Sequence, residues 1–104
     1  MINIDLNQLI IRLKEYQPEK VILFGSVGRE EVFSPTSDID LAIIKTTDQP
    51  FYKRNRDVRK LLRSKIPLDV FVFTPIEFES AKQTNSFVAE IEKTGRVIYE
   101  QPTQ

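Results

Sequence analysis

Two periods of apolar residues run along the chain, separated by Gly and Pro. Leu6, Leu9, Ile10, Leu13 and Tyr16 recur at helical spacing, with Asn3 or Asp5 placed to cap the start and Pro18 to end it. Lys20–Phe24 is a short, continuous apolar run of β-branched and aromatic residues, the pattern of a central strand buried on both faces. It stops at Gly25-Ser26-Val27-Gly28. The mostly polar stretch 29–37, which contains Pro35, reads as a helical turn or loop. A second strand is predicted over 38–44. After a loop with Asp48 and Pro50, a helix over 51–65 carries Val58, Leu61 and Leu62 on one face. Pro67 introduces a third strand, Leu68–Phe73. Thr74-Pro75 predicts an N-cap with Pro at the first helical position, and Glu77 adds first-turn negative charge. A further helical stretch has Phe87, Val88 and Ile91 as its apolar stripe and Gly95 just past its end. Arg96–Glu100 is a fourth, shorter strand. The order α-β-(α)-β-α-β-α-β predicts an α/β fold: one domain over 1–104, a mixed four-stranded sheet packed with helices, and a frayed tail at 101–104.

Composition narrows the chemistry. The chain has 104 residues, 40% hydrophobic and 29% charged, which suits one ordinary globular core. Fifteen basic residues balance fifteen acidic ones, so no general adhesion to nucleic acid or membrane is expected. No apolar stretch approaches the roughly 20 residues of a membrane span, and no leader pattern opens the chain. The expectation is a cytoplasmic protein. Cys and His are both absent. That excludes disulfides, thiolate nucleophiles, His-based triads and imidazole or thiolate metal sites. Carboxylates, hydroxyls, Lys, Arg and backbone amides remain, and any metal must be a hard, oxygen-seeking one such as Mg²⁺.

Within that limit one constellation stands out. Gly25-Ser26 ends the first strand, Asp38 and Asp40 open the second, and Asp69 sits near the front of the third. A period of two puts Asp38 and Asp40 on one face. If the second and third strands lie parallel and adjacent, three carboxylates converge. Such a cluster repels itself unless a divalent cation neutralises it or one acid stays protonated. Glycine at the strand end lets backbone N–H groups approach a phosphate, and the Ser hydroxyl adds a donor. Phosphate beside a divalent cation is the apparatus of phosphoryl or nucleotidyl transfer, and it needs neither His nor Cys. Each piece alone also has a plain reading: a turn at Gly25-Ser26, a capped strand start at Asp38, a surface ion pair at Asp69. Acids at matched ends of otherwise buried strands favour the joint one. No Gly-Lys exists for a Walker loop, the glycine turn is one glycine short of a dinucleotide fingerprint, and Ile43 stands where an EF-hand loop needs glycine. For the Gly-Ser end to meet the Asp ends, the first strand must run antiparallel to the other two.

The run of residues 21–29 (VILFGSVGR), then 37–41 (SDIDL), then 68–71 (LDVF) resembles the minimal nucleotidyltransferases of the DNA polymerase β superfamily, over nearly the whole chain. The resemblance implies that Gly25 and Ser26 bind phosphate, with Arg29 a further nucleotide contact. It implies that Asp38, Asp40 and Asp69 are catalytic and hold Mg²⁺, with two ions allowed and ATP as substrate. It departs in the loop: eleven residues separate Ser26 from Asp38, one more than usual, and Glu30 stands where glycine often follows the arginine. Small stand-alone members include antitoxins that pair with HEPN-domain toxins and transfer AMP to a toxin tyrosine. The resemblance therefore implies a HEPN-type partner and a nucleoside triphosphate, with nucleic acid and membrane not expected. Two rivals are a non-catalytic antitoxin that silences its partner by occlusion, and transfer to a small molecule. The segment 51–65 carries Lys53, Arg54, Arg56, Arg59, Lys60, Arg63 and Lys65 against Asp57 alone. It reads as a solvated face, or as a docking surface for an acidic partner or nucleotide phosphates.

Overall fold

The computed structural model describes residues 6–24, 39–62 and 68–102; the side chains of Leu6, Ile39 and Leu68 are outside that description. Helix α1 is Leu6–Lys14, β1 is Lys20–Phe24, β2 is Ile39–Ile44 and α2 is Phe51–Leu62. Then come β3 at Leu68–Phe73, α3 at Pro75–Thr84, α4 at Ser86–Thr94 and β4 at Arg96–Glu100. The strands form one sheet in the order β3-β2-β1-β4. The β1 strand is antiparallel to both neighbours, whereas β2 and β3 are parallel. Both expectations of direction hold, and the α/β class with them. A β-bulge lies between Val21 and Ile22 in the pairing with β4. Past β4, the Gln101 N–H donates to the Glu19 carbonyl.

Alternation within the central strands splits their side chains between two cores. Val21, Leu23, Leu41, Ile43, Val70 and Val72 pack with Leu9 and Leu13 of α1 and Val58 and Leu62 of α2. On the other face, Ile22, Phe24, Ala42 and Ile44 pack with Phe78 of α3 and Val88 and Ile91 of α4. Covering both faces explains why residues 21–24 of β1 and 41–44 of β2 are continuously apolar.

The helical region between β3 and β4 is two helices. Thr74 caps α3 with a capping box: its hydroxyl accepts from the Glu77 N–H, and the Glu77 carboxylate accepts from the Thr74 N–H. Asn85 then ends α3 through its own N–H and starts α4 through its side chain, which accepts from the Phe87 and Val88 N–H groups. The Lys82 ammonium lies 2.7 Å from Glu92 and 2.9 Å from Glu79, tying α4 to α3. Those hydrogen bonds, the one to Glu92 foremost, raise its pKa.

The basic segment is not a uniformly solvated face. Arg54 does not belong to the exposed face; it is 6% exposed and turned inward. Its Nε donates to the Gln49 carbonyl, its Nη1 to the Val72 carbonyl, and the guanidinium grips the Glu77 carboxylate at 2.7 and 3.3 Å. It joins α2, β3 and α3. Lys53, Arg56, Arg59 and Lys60 are exposed on α2, while Arg63 and Lys65 lie outside the described residues.

Candidate functional site

Strand direction decides what meets at one end of the sheet. The chain leaves β1 at Phe24, and β2 and β3 enter at the same end. Register pairs Phe24 with Asp40 and Asp40 with Asp69. The three form a row across three strands, on the face where Ala42, Ile44, Phe71 and Phe73 contribute to the α3–α4 core. Neighbouring strands lie about 4.8 Å apart, so register partners bring the two carboxylates side by side. Asp40 is half-buried and Asp69 exposed. A pair of carboxylates with one side open to solvent offers only oxygen donors. That donor chemistry fits a hard divalent cation such as Mg²⁺ or Mn²⁺.

Gly25, Ser26, Arg29 and Asp38 lie outside the described residues. By sequence, Gly25 follows Phe24 and Asp38 precedes Ile39. Among the described residues there is no group of three or more metal-ligating side chains.

An aromatic wall closes the inner side of the row. Phe24 and Phe71 face each other across β2, ring centroids 6.1 Å apart, over the fully buried Ala42. Phe87 of α4 meets both, at 5.7 Å with a 76° tilt and at 5.6 Å with a 67° tilt. By sequence pattern Phe87 belongs to a core stripe with Val88 and Ile91. Those two are buried, but Phe87 is 48% exposed. Its position at the margin of the helical stripe was the available signal.

A groove of about 630 Å³ lined by Arg12, Glu15, Asp57, Lys60 and Leu61 lies between α1 and α2, hence on the opposite face from the carboxylates. Near it the Tyr16 hydroxyl is buried with no hydrogen-bond partner among the described residues. Burial, and secondarily the Asp57 charge, raises its pKa. Neither feature touches the row.

Comparison with known proteins bears on this geometry. A family model described as polymerase beta, nucleotidyltransferase, matches residues 7–104. No match is found among curated proteins. The family match covers all four strands, and members of that family generally transfer nucleotidyl groups with nucleotide substrates and divalent metals. The chain belongs to the polymerase beta nucleotidyltransferase family.

Proposed function

We propose that the protein is a Mg²⁺-dependent protein adenylyltransferase: an antitoxin that transfers AMP from ATP to a tyrosine hydroxyl of a HEPN-type toxin. The observation that supports metal-dependent transfer is the pairing of Asp40 with Asp69 on adjacent parallel strands. Asp38, Asp40 and Asp69 would hold the metal; when bound, it supplies charge neutralisation at the triphosphate. Gly25 and Ser26 would bind phosphate from the end of β1, with Arg29 beside them.

The acceptor oxygen attacks the α-phosphorus and forms a new P–O bond. The bond from the α-phosphorus to the bridging oxygen breaks, and pyrophosphate leaves with that electron pair. The exposed Asp69 carboxylate receives the acceptor proton. Its exposure lets a protein-borne hydroxyl reach it. The resemblance alone supplies the identity of toxin and tyrosine.

Docking through α2 fits the remaining exposed cations, Lys53, Arg56, Arg59 and Lys60. Helix α2 packs on the face opposite the carboxylates, so a partner docked there must reach round the β3 edge. The test is mass spectrometry of the co-expressed toxin. One AMP mass should appear on a tyrosine per transfer, and none with Asp40→Asn. A toxin silenced yet unmodified would overturn the enzymatic reading in favour of occlusion.

A further inference from the structure

An exposed phenylalanine by itself means little. Phe87 differs in where it stands and how it is held. It extends the aromatic pair of buried Phe24 and half-buried Phe71 out to solvent on the face that carries Asp40 and Asp69. Phe71 is two residues along β3 from Asp69, a step of about 7 Å. Phe24 stands in the carboxylate row itself. The ring therefore sits within a nucleoside's reach of the row. Two near-perpendicular ring contacts anchor it, and the Asn85 side chain fixes its backbone by accepting from the Phe87 N–H at 2.9 Å. An aromatic ring so fixed presents a surface without ordering an extra flexible side chain.

We propose that Phe87 is the stacking residue for the nucleobase of the triphosphate substrate. This rests on the nucleotide reading of the carboxylate row. With the phosphates held there, the base must extend either off the end of the sheet or back along its face. Along the face, Phe87 offers an exposed aromatic surface. Stacking on phenylalanine tolerates any base, because every base has a π-face, so Phe87 contributes affinity for a nucleobase rather than a choice among bases.

The experiment measures Mg²⁺-dependent binding of ATP and of inorganic tripolyphosphate, which lacks sugar and base, to the wild type and to Phe87→Ala, Phe87→Leu and Phe87→Trp. Phe87→Ala should raise the Kd for ATP by about 5- to 100-fold and leave tripolyphosphate within about twofold. Phe87→Leu, which keeps apolar bulk without a π-face, should resemble Phe87→Ala. Phe87→Trp should retain ATP affinity. The chain has no tryptophan, so its fluorescence reports the site alone, and ATP but not tripolyphosphate should change it. Unchanged ATP affinity in Phe87→Ala overturns the proposal, even if transfer falls, since the ring would then serve the acceptor. Equal loss for both ligands, or full affinity in Phe87→Leu, also overturns it. Wild type that binds neither ligand would overturn the nucleotide reading itself, a result distinct from the failure of stacking.

Discussion

Arg54→Met tests how the helices are fixed to the edge of the sheet. Methionine keeps most of the apolar stem and removes the guanidinium. Three acceptors lose a donor: the Gln49 and Val72 carbonyls and the Glu77 carboxylate. The bond to Val72 is buried, and an orphaned buried carbonyl costs about 1–3 kcal/mol. The Gln49 carbonyl is partly accessible and adds about 0.5–1 kcal/mol. The Glu77 side chain is 46% exposed and can rehydrate, so its ion pair adds at most about 1 kcal/mol. The expected loss is about 2–4 kcal/mol, a fall in Tm of about 10–25 °C for a domain this size. Urea unfolding should show a lower midpoint at an unchanged slope. A second signature lies in acid. The Glu77 pKa is lowered chiefly by its hydrogen bond to Arg54. A depressed folded pKa gives stability that is present above the ordinary glutamate value and is lost as pH falls through the folded one. Arg54→Met should shrink that acid-side loss. A variant within about 0.5 kcal/mol of wild type, with the same acid profile, would refute the reasoning.

Two further substitutions probe packing. A Cβ at Gly95 would lie inside van der Waals contact with the Ile91 carbonyl oxygen and with Cγ2 of Ile22. Its φ of −71° suits any residue, so Gly95→Ala should cost about 1–3 kcal/mol by pushing α4 off β1, measured by thermal unfolding; wild-type stability would contradict the close approach. Tyr16→Phe removes a buried hydroxyl that lacks a partner among the described residues, and should be neutral or stabilising by up to about 1 kcal/mol; a clear loss in the urea midpoint would show that the hydroxyl is bonded.

The strands and the carboxylate row were legible because each of their signals is local. The run 21–24 is apolar without a break, as a doubly covered strand requires. Asp40 and Asp69 each interrupt an apolar run at its second position, so parallel neighbours in step had to place them together. The need for the end of β1 to meet those acids then set its direction. Less legible were features that depend on what lies across the core. Arg54 reads as one more cation in a basic helix until the Val72 carbonyl and Glu77 are seen opposite it. Glu77 reads from sequence as first-turn charge, but its capping box and its grip on Arg54 need the tertiary structure. The break between α3 and α4 turns on Asn85, which serves both helix ends with neither Gly nor Pro to mark it. Phe87 sits beside a true core stripe, and periodicity cannot tell the last buried position from the first exposed one. Gly25, Ser26, Arg29 and Asp38 belong to residues outside the described structure, so their placement rests on sequence.

The central claim is that Asp40 and Asp69 together hold a divalent cation for the nucleotide. Electron paramagnetic resonance of Mn²⁺, titrated with the protein and ATP, reads that binding without needing the partner. Wild type should take up Mn²⁺, and excess Mg²⁺ should displace it. Asp40→Asn and Asp69→Asn, each shown to be folded by circular dichroism, should weaken the uptake by at least about 10–100-fold. Uptake of Mn²⁺ at wild-type affinity by both folded variants would contradict the claim.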